Sequence, residues 1–254
     1  MTRRARSTTA PRHVDPSRRL LIQNEHLAGA DFSNRKLDIF DVIGSQFSAC
    51  RFEDTRCKSV CLGAGGGMSY YEGCVFDRSR LRFTFAGFAR FVSCSFRQIE
   101  FSNWLCTGCE FVDCVFSGKL DGARFFGTVP ERDRRLVGRD QNEFDGNDFS
   151  EASFRDVSFT GGIDLARQQL PIGRGYLYIP HAAEAVSRVW LDVIRWKDLT
   201  VRRNAIAMIS TLEVDVRAGQ EQMLIQRDTF ARGRDEAVDR VFEMLASSER
   251  ASIT

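Results

Sequence analysis

Counting along the sequence in steps of five from Tyr71 meets Phe76, Leu81, Ala86, Phe91, Phe96, Phe101, Cys106, Phe111 and Phe116, every one of them apolar. An earlier run leads from Leu27 through Phe32, Leu37, Val42, Phe47, Phe52 and Cys57 to Leu62. The frame slips by one residue to Leu120 and Phe125, then resumes at Phe144, Phe149, Phe154 and Phe159. Only 43% of the chain is apolar, so runs of this length report a structural repeat and not composition. Neither regular element accommodates such a step. On an α-helix five residues turn through about 140° and scatter round the cylinder. Along an unbroken strand an odd step alternates between faces. The period is satisfied when each five residues form a short extended side followed by a corner. The marked residue and the one two before it then both point inward.

Units such as Ala30-Asp31-Phe32, Cys50-Arg51-Phe52 and Ala152-Ser153-Phe154 resemble the pentapeptide-repeat proteins, whose repeat approximates A-(D/N)-(L/F)-x-x. The resemblance covers residues 27–164 and implies a mainly β solenoid, a right-handed quadrilateral β-helix with four pentapeptides per coil. The expected organisation is a disordered basic arm over 1–22 and a rod over 23–165 with an inserted loop at 127–143. A linker over 166–180 and an α-helical subdomain over 181–254 follow.

The stretch CTGCEFVDCVF (106–116) raises the question of a zinc site. In the repeat frame Cys106 is a central inward residue, while Cys109 and Cys114 are the flanking inward residues of the next two units. C-x2-C is therefore what the frame produces whenever cysteine fills adjacent inward sites. Cys74, Cys94 and Cys114 stand one coil apart, each two residues before Phe76, Phe96 or Phe116. Cys50 and Phe52 join this core ladder if the glycine-rich stretch 63–67 bulges and resets the frame. Cysteine then acts as a small buried hydrophobe. The chain offers no four-ligand set with nearby histidine, so neither metal nor other cofactor is expected.

Function must then lie on outward positions, loops or ends. One side carries Arg56, Lys58, Arg80, Arg82 and Lys119, a basic stripe. The next carries Phe85, Phe88, Leu105 and Phe126 in outward positions beside Gly63, Gly87, Gly108 and Gly127, a candidate docking face. The C-terminal segment is the expected occupant of that face, with a protein partner as the alternative. The charge-rich excursion 127–143 suits a solvated loop, while the resemblance implies a candidate contact loop with Arg132, Arg134 and Arg135 as candidate contacts. Thr128-x-x-Glu131, Pro130 and Gly138 suggest that it holds a short capped helix. Asp145, Asp148 and Glu151 make the last coil a candidate acidic face.

Past Asp164 the apolar spacing becomes helical. Val186, Val189, Trp190, Val193 and Ile194 form one stripe; Val201, Ala205, Met208, Ile209 and Leu212 form a second, with Asp198 as N-cap and Gly219 as stop. Met223, Leu224 and Phe230 suggest a third helix, and Val238, Val241, Phe242 and Leu245 a fourth. This is more helix than an end cap needs, which suggests a subdomain able to form a homodimer.

Three histidines stand isolated, and no nucleophile, metal or phosphate-loop motif can be assembled, so no catalysis is expected. A net charge of +2 from 36 basic and 34 acidic residues argues against direct binding of nucleic acid or a membrane. No apolar run suits a signal peptide or a membrane span, and eight cysteines with no export signal suggest the cytoplasm. The arginine-rich usage, 32 Arg to 4 Lys, hints at a bacterial source. The expected function is a protein–protein interaction scaffold. The alternative is what the resemblance implies: a DNA mimic that binds a type II topoisomerase such as gyrase and gives antibiotic resistance to quinolone-type inhibitors. Residues 27–165 hold 17 basic and 20 acidic residues, a weak net charge for a DNA mimic.

Overall fold

The computed structural model describes residues 14–15, 18–65, 67–82, 84–230 and 235–251. The five-residue units wind into a parallel β-solenoid. Leu37 pairs with Cys57, Ala89 with Cys109 and Phe91 with Phe111, so twenty residues, four units, make one coil. At the glycine-rich stretch the pairs become Phe47–Tyr71 and Arg51–Val75, twenty-four residues apart, which places Cys50 and Phe52 directly before Cys74 and Phe76. The one-residue slip is also seen: Phe96 pairs with Phe116 but Phe101 with Leu120. After the inserted segment the ladder resumes with Phe111 beside Phe144.

The rod begins earlier than the sequence suggested. Arg19–Gln23 is a strand paired with Ile39–Ile43, because Leu20 and Ile22 alternate inward and are buried. Residues 1–13 and 16–17 of the expected arm lie outside the described residues.

Coil stacking forces like onto like. Phe32, Phe52, Phe76, Phe96, Phe116 and Phe149 lie face to face, with centroids 4.5–5.0 Å apart and planes within 10°. That spacing is the separation of neighbouring strands, about 4.8 Å. A second column, Phe47, Tyr71, Phe91 and Phe111, stacks at 4.7–4.9 Å and meets the first edge-on, as at Phe91–Phe96 (70°). Both arrangements suit the ring quadrupole. Cys50, Cys74, Cys94 and Cys114 fill the flanking column and are buried. Their thiols point at carbonyl oxygens, Cys94 Sγ lying 3.4 Å from both Tyr71 O and Val92 O.

Helix α1 (Glu131–Val137) sits in the inserted segment. Its N-cap is Pro130 with no side-chain cap, and Thr128 instead bridges to Gln141 to close the loop. The expected capping box is therefore absent, while Gly138 does end the helix in the left-handed conformation. The C-terminal unit contains α2 (Ala182–Val193), α3 (Leu199–Arg217), α4 (Arg227–Phe230) and α5 (Glu236–Ala251). These pack around Val186, Val189, Met208, Ile209, Val241 and Leu245. Asp198 Oδ1 accepts from the Thr200 and Val201 amides and starts α3; Gly219 (φ +84) ends it.

Two expectations fail here. The segment read as a linker contains the strand Tyr176–Ile179, and Met223–Gln226, read as part of a helix, is its antiparallel partner. Each strand is only four residues long, and a short apolar run carries too little periodicity to separate strand from helix.

The cap closes the rod with glutamine side chains. The last coil exposes backbone groups that another coil would have paired. Gln226 Oε1 accepts from Val157 N (3.0 Å), and its Nε2 donates to Val157 O (2.8 Å). Gln220 Oε1 accepts from Gly162 N and Ile163 N, and its Nε2 donates to Ile163 O at 2.7 Å. Gln222 accepts from Ala166 N. A carboxamide carries the donor and acceptor of a peptide unit, so each glutamine stands in for a missing strand residue.

Candidate interaction surface

Outward residues stack in register just as inward ones do. On one side the line runs Leu21, Asp41, Cys61, Phe85, Leu105, Arg124, Ser158, each paired with the next. Its centre is apolar: Phe85 is 44% exposed, Leu105 is 37% exposed and Cys61 is half-buried. Charged residues flank that centre, Asp41 on one side and Arg124 on the other. Asp41 pairs with Arg19 at 3.5 Å, and Arg124 with Asp156 at 4.0 Å.

The C-terminal unit does not cover this strip, contrary to expectation. It is consumed in closing the rod's end, where the unpaired backbone groups of the last coil lie, and Phe85 and Leu105 stay open. The glycines are not a bed for a partner either. A Cβ on Gly87 would stand 2.1 Å from Gly63 O, and one on Gly63 would stand 2.3 Å from Phe88 O. They let the rod's own chain pass closely where the four extra residues are accommodated. Phe88 turns its ring over Gly108 and is half-buried, as is Phe126. Of the four aromatic and aliphatic candidates, the structure therefore joins Phe85 and Leu105 and sets Phe88 and Phe126 apart. Cys61 was missed, although its frame-corrected offset from Phe85 marked it.

The inserted segment is pinned to the rod beside this strip. Arg139 Nε lies 3.0 Å from Glu110 Oε1, and Arg139 Nη2 donates to Gly108 O at 3.1 Å. Asn142 Nδ2 donates to Thr107 O and Phe126 O. Glu110 is almost fully buried and also takes Arg90, which reaches Glu143 at 2.7 Å. Arg139 and Asn142 hold the loop, and a charged residue in a charge-rich loop gives no sequence signal of such a role. Of the candidate contacts, Arg134 donates back to Val129 O, while Arg132 is exposed beside Asp133 and Arg135 is exposed.

The acidic candidates do not form one open cluster. Asp145 pairs with Arg167, Asp148 Oδ1 accepts from Ser150 N at 2.9 Å, and Glu151 is exposed. On the basic side, Lys58 pairs with Asp38 at 2.9 Å and Arg80 with Glu100 at 3.0 Å. Among the described residues no group of three His, Cys, Asp or Glu side chains is placed to hold a metal, and no helix is long and apolar enough to cross a membrane.

No family model matches the chain, and no curated protein matches it. Among solved structures it is similar to a trypsin-treated variant of QnrB1, a plasmid-mediated fluoroquinolone resistance protein. The identity is 17% over 55% of this chain and 81% of that one, with a TM-score of 0.25. It is also similar to HetL, a pentapeptide-repeat protein involved in heterocyst differentiation regulation from the cyanobacterium Nostoc. That identity is 13% over 59% of this chain and 91% of the other, with a TM-score of 0.15. At these values the likeness adds nothing to what the coils themselves show. The five-residue period, the twenty-residue coils and the phenylalanine ladder make this chain a pentapeptide-repeat β-solenoid closed by a helical cap.

Proposed function

We propose that the chain is a non-enzymatic protein-interaction scaffold whose rod engages a protein partner through the Cys61–Phe85–Leu105 strip. The observation that carries this reading is that strip: three successive coils present apolar side chains to solvent on a backbone locked by parallel pairing. A rigid surface gives up little conformational entropy on binding. A folded monomer has no reason of its own to leave an aligned apolar line uncovered. Arg132 and Arg135 on α1 add exposed charge in the inserted segment. Affinity capture with the wild-type chain and with a Phe85→Ser/Leu105→Ser variant tests the reading. A partner should be retained by the first and lost by the second, with the circular dichroism spectrum unchanged. Equal retention by both overturns the assignment of the strip.

The helical unit offers a second surface. Leu191, Ile194 and Leu199, around the α2–α3 turn, are 54%, 41% and 67% exposed, and they support homodimer formation through the cap. Sedimentation equilibrium of the wild type against Leu191→Glu/Leu199→Glu decides this. All eight cysteines are free, which supports a reducing, cytoplasmic setting.

Topoisomerase binding by DNA mimicry receives less support. A mimic needs unpaired carboxylates, whereas Asp145 is paired with Arg167, Asp121 with Arg155 and Asp156 with Arg124. A gyrase supercoiling assay with and without a fluoroquinolone separates the two readings. Inhibition, or rescue from the drug, at micromolar protein favours mimicry.

A further inference from the structure

Beside the glutamine contacts, the rod's end and the cap leave a cleft of about 370 Å³, within the range of small-molecule sites, about 300–1,000 Å³. Its walls come from both parts. The last coil contributes Phe159 and Asp156 and the coil before it Arg124, while the cap contributes Leu212 and Asp215 from α3 and Phe230 from α4. Phe159 and Leu212 are buried and form an apolar wall. Asp215 is half-buried on the same helix. Arg124, whose charge reaches Asp215, is paired with Asp156.

We propose that this cleft binds a small amphipathic cation, a primary amine or guanidinium on an apolar body, with its charge at Asp215 and its body against Phe159, Leu212 and Phe230. Three observations select that class. Two carboxylates face one guanidinium, so an anion would meet net repulsion. A neutral ligand would dehydrate Asp215 and give it no counter-charge. A small hydrated metal ion would leave the apolar wall unused. Burial holds the Asp215 carboxyl above its ordinary range, which marks a carboxylate short of counter-charge in the free protein.

The test is a fluorescence titration of the full chain with dansylcadaverine, a primary amine on an aromatic body. Its N-acetyl derivative serves as neutral control and anilinonaphthalene sulfonate as anionic control. The expected result is saturable one-to-one binding of the amine, weakened about tenfold or more by Asp215→Asn and by N-acetylation of the probe. Thr211→Trp places a large side chain in the cleft from an exposed helix position and should abolish binding while the fold is retained. Equal affinity for the N-acetyl probe, equal affinity in Asp215→Asn, preference for the sulfonate, or no saturation each overturns the proposal.

Discussion

Phe96 stands between Phe76 and Phe116, each 4.8 Å away, and its side chain is fully buried. Removing such a ring leaves a cavity that neighbouring coils cannot close, because the strand spacing fixes their separation. Phe96→Ala should cost about 3–5 kcal/mol, measured as a lowered urea midpoint. The thiols beside the ladder make a different demand. Burial pushes Cys57 up to about 11 from an ordinary value of 9.0. At Cys74 the Cys50 thiol acts to lower the value, but the Cys94 thiol and burial outweigh it and carry it up to about 12. Folding therefore retains protons that the unfolded chain releases. The stability these groups contribute is complete below the unfolded value and is lost as pH rises through the folded ones. The melting temperature should fall progressively above about pH 9, and Cys57→Ala should flatten that fall. A profile that stays flat to about pH 12 contradicts this account of the thiols.

Among the elements, the rod strands were legible and the closing elements were not. An inward residue recurs every fifth position because four sides share one core, so Phe32 to Phe159 declared the coils without help from any single motif. Even the frame slip before Leu120 was visible, since the spacing of Phe116, Leu120 and Phe125 breaks the step. The Tyr176–Ile179 and Met223–Gln226 pair was hidden because neither strand is long enough to show alternation. The glutamine closure was hidden because capping a backbone edge with side chains happens once and has no period. The exposed strip was half legible: Phe85 and Leu105 were placed by the frame, but Phe88 turns inward over a glycine whose missing side chain only the structure shows to matter. Gln226 tests the closure directly. It is 4% exposed and satisfies both backbone groups of Val157. Gln226→Leu preserves volume but leaves that amide and carbonyl unpaired, and should cost about 2–4 kcal/mol. A chemical denaturation series reads it, and a loss below about 0.5 kcal/mol contradicts the peptide-mimic role.

At the scale of the whole molecule, the cap makes an inherently extendable architecture finite. Any parallel solenoid ends in a row of backbone groups that suits another strand. Truncation before Tyr176 removes Gln220, Gln222 and Gln226 together and uncovers Val157, Gly162 and Ile163. The truncated rod should self-associate in a concentration-dependent way by light scattering while the intact chain does not extend from this end. A rod that stays monomeric without the cap shows that the last coil needs no closure.

Trp104 gives the molecule an optical label of its own. Its indole is fully buried 3.8 Å from the ring of Phe101, and among the described residues its Nε1 has no hydrogen-bond partner. The other two tryptophans, Trp190 and Trp196, are half-buried in the cap, Trp196 lying under the Arg240 guanidinium at 3.8 Å. One chromophore thus sits in a dry stack, and two are partly open to solvent. Emission at the blue edge follows the solenoid, and emission at the red edge follows the helices. A single unlabelled melt can then show whether rod and cap come apart together or one before the other.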